Sequence, residues 1–129
     1  MESNLSELFY GVFEEDKSPV VICDINNTIV YMNPVAAKRY ETSGGYALVG
    51  KSIMDCHNAK SREIMEKVVS WFKESSDNNR IYTFKNNKEN KDVYMIALRN
   101  KNRELIGYYE KHEYRSSETA SLYDFSKSL

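Results

Sequence analysis

Between Asp24 and Pro34 the chain reads as a β-hairpin that feeds straight into a helix, and this order narrows the possible folds more than any other stretch. Val20, Val21, Ile22 and Cys23 form a short apolar run bounded by Pro19 and Asp24, and Ile29 to Met32 form a second. Asn26 and Asn27 lie between the runs, and asparagine tolerates the positive φ that a two-residue primed turn demands. Asn33 is suited to accept from free helix N–H groups as an N-cap. Pro34 suits the first helical position, where its missing N–H costs nothing.

On either side of this unit the pattern alternates between helix and strand periods. Leu5, Leu8, Phe9 and Val12 fall at i, i+3, i+4 and i+7, an amphipathic helical stripe that Ser3 or Ser6 can cap. Strands are expected at about 19–24 and 28–32, then a helix from Pro34 to about Tyr40, broken by the stretch 42–45. Short helical turns around Gly50 cover Tyr46 to Met54. From Ser61 the residues Ile64, Met65, Val68, Val69 and Phe72 mark a long amphipathic helix. Three strands follow, at about 80–86, 92–99 and 103–114, joined by polar turns at 86–90 and 100–102. Residues 116–129 read as a mobile tail, or as a helix that orders only on contact. The class is α+β.

Length and charge remove several kinds of function. A chain of 129 residues suits one domain, and a formal net charge of −1 provides no basic field for nucleic acid or an acidic membrane. The longest apolar runs are strand-sized, so no transmembrane helix is expected. Two cysteines, with no basic-then-apolar start, suggest a reducing cytoplasm rather than a disulfide scaffold or export.

Strand, hairpin, strand, Asn-Pro and short helix, followed by a long helix and three strands, resembles a PAS domain over roughly residues 15–114. Gly50-Lys-Ser-Ile is similar to that family's V-G-K-S step before the long helix. Arg99 to Gly107 is similar to its R-x-x-x-G-x-x-x-G hairpin, with Asn102 taken as standing where glycine is common, since asparagine also accepts positive φ. The resemblance implies a five-stranded antiparallel sheet with short helices and one long helix on one face. It divides the chain into an N-terminal amphipathic helix (1–15), a PAS domain (16–114) and a C-terminal tail (115–129). It also implies a bacterial-type sensory or regulatory module in signal transduction rather than an enzyme.

The least generic segment is Asp55-Cys56-His57-Asn58-Ala59-Lys60-Ser61, which resembles a bacterial PAS subgroup with the motif Cys-His-Pro-Pro-Lys-Ser. Cys56, His57, Lys60 and Ser61 match, and Asn58 stands as a helix N-cap where the first proline would be. Several readings stay open. His57 can ligate haem iron or another metal, since imidazole suits iron. Cys56 can be a redox-responsive thiol activated by a helix N-terminus. The two can form a nucleophile pair, although neighbours on a helix point about 100° apart. Or they simply pack and cap where the long helix begins. His112 shares a strand face with Tyr108 and Glu110, and no metal-binding spacing accompanies either histidine. The flavin-binding Asn-Cys-Arg-Phe sequence is missing, as is a phosphate-binding glycine loop.

The resemblance places a small ligand between sheet and helices. Candidate wall residues are Met32, Ala37, Tyr40, Ile53, Met54, Cys56, His57, Ile64 and Val68, with Phe84, Tyr94, Ile96 and Leu98 from the sheet. Alternation puts Tyr94, Ile96 and Leu98 on one face and Val93, Met95 and Ala97 on the other, without deciding which face meets the helices. The stripe Leu5, Leu8, Phe9, Val12 lies on a helix too short to be stable alone and must dock on something. A homodimer through this helix is the expected partner arrangement, with an effector protein as a further partner.

Overall fold

The computed structural model describes residues 2–128. The hairpin supplies β1 (Val21–Asp24) and β2 (Ile29–Met32), and the C-terminal third supplies β3 (Arg80–Asn86), β4 (Lys91–Arg99) and β5 (Leu105–Tyr114). All pair antiparallel in one sheet, ordered β2-β1-β5-β4-β3. The N-terminal helix α1 spans Glu2–Glu14. Between the two parts of the sheet run α2 (Pro34–Arg39), three 3₁₀ turns (Glu41–Ser43, Gly45–Leu48, Ile53–Cys56) and α3 (Ala59–Glu74). The tail contains a single short helix, α4 (Phe125–Ser128). This is the expected α+β architecture. Ser3 and Ser6 lie inside α1 and are not its cap.

The hairpin turn differs from the expected two-residue form. Only Asn27 has a positive φ, 65°, and Asn26 does not. Asn27 N–H donates to the Asp24 carbonyl at 3.0 Å, and Asp24 N–H donates to the Thr28 carbonyl at 3.0 Å. The loop is therefore a type I turn closed by one left-handed residue. Asp24 favours this longer loop because its Oδ1 accepts from Asn26 N at 2.9 Å and Thr28 N at 3.0 Å. Beyond the turn, the chain before α3 covers the free side of β2. Gly50 N–H donates to the Ile29 carbonyl at 2.7 Å, and Ile29 N–H donates to Lys51 at 2.9 Å. An otherwise open sheet edge is thereby closed.

The caps expected at Asn33 and Asn58 both form. Asn33 Oδ1 accepts from Ala36 N at 3.0 Å, and Asn58 Oδ1 accepts from Ser61 N at 2.9 Å. At the β4–β5 turn, the left-handed residue is Arg103 (φ 65°). Counted from Arg99, this is the position of the first glycine in R-x-x-x-G-x-x-x-G, so the expected placement of that glycine at Asn102 is one residue early. Asn100 Oδ1 accepts from both Asn102 N and Glu104 N, which leaves the left-handed position to the residue between them.

The core lies between one sheet face and the helices. Met65, Val68, Val69 and Phe72 of α3 pack with Ile29, Met32, Cys23, Met95, Ala97 and Tyr108. On β4, Lys91, Val93, Met95 and Ala97 are buried, whereas Tyr94, Ile96 and Leu98 are half-buried on the opposite face. α1 attaches elsewhere, through Tyr31: Tyr10 and Phe13 meet its ring at centroid distances of 5.9 and 6.2 Å, and Glu14 accepts from its hydroxyl at 2.6 Å. Among the described residues, no helix is long and apolar enough to cross a membrane.

Candidate functional site

Packing between the sheet and the helices leaves two adjoining spaces. The inner one, about 130 Å³, is mainly apolar, with Val21, Ile29, Met32, Leu48, Ile53, Met65 and Met95 in its wall. The outer one, about 370 Å³, opens between α2, α3 and strands β3 to β5, beside Arg39, Ser61, Ile64, Phe84 and Lys91. Tyr40, His57, Met65, Met95, Glu110 and His112 line both.

Strand parity builds the polar part of this wall. Alternation along β5 turns Tyr108, Glu110 and His112 to the helix side, where they lie opposite Ala97, Met95 and Val93 of β4. Lys91 continues that row beside Tyr114. His112 is 8% exposed, and its Nε2 lies 3.5 Å from Glu110 Oε1. Burial pushes the Glu110 pKa up, but the hydrogen bond and charge of His112, with His57 and Lys91, outweigh it. The Glu110 carboxyl is therefore held below its ordinary value. His112 Nδ1 is buried with no hydrogen-bond partner among the described residues.

Lys91 is likewise buried, 1% exposed, and its Nζ makes no hydrogen bond among the described residues. Its ion-pair partner is Glu89 at 3.4 Å, and the Tyr114 ring centroid lies 5.3 Å away. Glu89 is already engaged by Arg39, whose Nη1 and Nη2 donate to its two oxygens at 2.7 and 2.8 Å. Arg39's hydrogen bonds hold the Glu89 carboxyl down to about 2. Two cations thus share one carboxylate at the rim of the outer space.

Of the residues expected to line a ligand cavity, Met32, Tyr40, Ile53, Cys56 and His57 border the inner space, and Ile64 and Phe84 border the outer one. Ala37, Met54 and Val68 belong to the surrounding core or pack against it without bordering either space. Tyr94, Ile96 and Leu98 do not reach the cavity, because β4 turns its odd-numbered residues inward. Met65, Met95, Lys91, Glu110 and His112 were absent from the expected set.

Cys56 ends a 3₁₀ turn and His57 follows in extended conformation, φ −120° and ψ 148°, before the Asn58 cap. Cys56 therefore does not sit at the N-terminus of a helix, and that argument for an activated thiol lapses. Burial pushes the Cys23 thiol up to about 12, against a neighbouring Tyr108 hydroxyl that lowers it. Tyr108 is itself held by Asn27, whose Oδ1 accepts from its hydroxyl at 2.6 Å. Among the described residues, no three His, Cys, Asp or Glu side chains are placed to hold a metal ion.

The fold recurs in solved structures. A C-terminal domain from Streptococcus mutans is similar with TM-score 0.65 and 17% identity, covering 84% of this chain and 83% of that one. A PAS domain from Colwellia psychrerythraea is similar with TM-score 0.61 and 10% identity, covering 84% and 95%. A sensory box sensor histidine kinase from Vibrio cholerae is similar with TM-score 0.56 and 15% identity, covering 88% and 97%. The chain has a PAS fold. No family model and no curated protein matches the sequence. Within this PAS fold, the two spaces occupy the gap between the sheet and the helices.

Proposed function

We propose that this PAS fold is a sensory or regulatory module that takes a small ligand into the paired spaces between sheet and helices. The observation that carries the reading is His112: a buried imidazole in the cavity wall whose Nδ1 has no partner among the described residues. An unsatisfied buried polar atom costs about 1–3 kcal/mol, and a ligand that supplies its partner recovers that cost. Binding is favoured over catalysis because the buried thiol in the wall, Cys23, stays protonated and so is a poor nucleophile. A haem on His57 would have to occupy the inner space, about 130 Å³, together with the outer one, about 370 Å³, since His57 lines both.

A route for the signal runs through β2. Met32 borders the inner space, and the next residue, Asn33, donates from Nδ2 to Phe13 O at the end of α1 at 3.0 Å. A ligand that favours one position of β2 therefore biases α1 by its difference in affinity for the two states. α1 offers an output surface: Leu5, Leu8, Phe9 and Val12 are 49%, 65%, 55% and 65% exposed, while Tyr10 and Phe13 face Tyr31. A twin α1, in a two-fold dimer, would cover this stripe.

Native mass spectrometry of protein purified from cells is expected to show the chain plus a small molecule that leaves on denaturation. A bare mass that stays bare after incubation with a metabolite extract would remove ligand sensing and leave constitutive dimerisation. A Soret band on purification with haem supplied, lost in His57→Ala, would replace this reading with a haem sensor. For the dimer, light scattering at tens of micromolar is expected to give twice the chain mass, and L8E with F9E to give the monomer with unchanged circular dichroism. A monomer mass for the unaltered protein ends the dimer proposal.

A further inference from the structure

Two buried polar side chains that line the outer space, Lys91 and His112, each have an atom without a hydrogen-bond partner among the described residues. We infer that the ligand is a small carboxylic acid with an apolar body, its carboxyl held between Lys91 and His112. The inference rests on the cavity being a ligand site. Glu110 is ionised beside His112 Nε2, so that nitrogen carries the proton and points it at Glu110. Nδ1 is then left as a buried nitrogen without a partner among the described residues. A carboxyl group completes it, because one oxygen shares a proton with Nδ1 while the other accepts from Lys91 Nζ. Lys91 needs such an acceptor: it is 1% exposed, makes no hydrogen bond, and shares its one ion-pair partner, Glu89, with Arg39. A buried ammonium is expensive unless paired and hydrogen-bonded.

The apolar body has a place to go. From the outer space the wall residues Met65 and Met95 lead to the inner one, where Ile29, Met32 and Ile53 form apolar walls. A head that is polar and a tail that is not thus match the order of the two spaces. The charged and titratable groups facing His112 are Lys91 on β4, Glu110 on β5, Arg39 and Tyr40 from α2 and its end, and His57 after the third 3₁₀ turn. With Glu89, which pairs with both Arg39 and Lys91, the carboxyl would meet two cations and two carboxylates.

Calorimetry with hexanoate, hexanamide and hexylamine tests the inference on the unaltered protein. Hexanoate is expected to bind at least about ten-fold tighter than the amide, the scale of one charged hydrogen bond, and hexylamine weaker still. K91M is expected to erase the margin of acid over amide, and K111M, on the other sheet face, to keep it. Amide or amine binding as tightly as the acid overturns the carboxyl assignment and leaves the cavity as a site for another ligand. No binding by any of the three overturns the cavity reading as well. The comparison among ligands needs no variant, so it decides even if K91M does not fold.

Discussion

Gly107→Ala is expected to cost about 3–5 kcal/mol, at the upper end of what single substitutions do. Gly107 lies on β5, the strand that joins the N-terminal hairpin to the C-terminal strands, opposite Asp24 on one side and Leu98 on the other. A Cβ there would lie 2.3 Å from the Cys23 carbonyl oxygen, 3.3 Å from its carbon and 3.4 Å from Asp24 Cα. All three are backbone atoms, so no rotamer change relieves the clash. β1 must move off β5, and the floor of the inner space, with Cys23 and Tyr108, moves with it. Gly11→Ala is the matched control: nothing lies within 4 Å of the added methyl, and the residue is inside α1. It is expected to stabilise by up to about 1 kcal/mol through helix propensity. Urea melts followed by circular dichroism give both values. A Gly107→Ala protein as stable as the parent would mean that the β1–β5 contact does not hold the sheet together.

Much of this architecture was legible because its signals are local. Asn33-Pro34 and Asn58 mark helix starts through residues three positions away, and each cap is made as read. The hairpin's existence was equally readable, but its turn type was not. Asn26-Asn27 suggested a primed turn, whereas the Asp24 carboxylate, a few residues earlier, takes two N–H groups and sets a longer loop. The cavity was less legible for a different reason. Both faces of β4 are apolar, so alternation groups Tyr94 with Ile96 and Val93 with Met95 without saying which pair is inside. Only pairing with β5 and packing under α3 decide it. Lys91 falls just outside the strand expected at 92–99, and the one sign of its burial is its parity with Val93, Met95 and Ala97. Glu110 and His112 share a face by the same alternation, yet the missing partner at Nδ1 is a three-dimensional fact.

Asn33→Ala is expected to destabilise the fold by about 3–5 kcal/mol, because it orphans several buried backbone groups at once. The side chain is fully buried, at 0% exposure. Its Oδ1 accepts from Val20 N at 2.9 Å and Ala36 N at 3.0 Å. Its Nδ2 donates to Phe13 O at 3.0 Å, Asp16 O at 3.3 Å and Ser18 O at 2.9 Å. The cap half of this set was readable from Asn-Pro, but the other half gathers carbonyls from α1 and the linker that follows it. Loss of the amide should therefore release α1 in addition to lowering stability. Hydrogen exchange is expected to rise in residues 5–14 more than in α3, whose cap at Asn58 is untouched. Asn33→Asp separates the two halves, since it keeps both accepting contacts and turns a carboxylate towards three carbonyl oxygens. That repulsion raises the pKa of the introduced acid in the folded state above its unfolded value. The group is then tolerated at low pH, where it is protonated and can donate, and loses stability as the pH rises through the raised value. Uniform exchange across α1 and α3 in the alanine variant would show that Asn33 does not tether α1. In that case the proposed route from the cavity wall through β2 to α1 would fall with it.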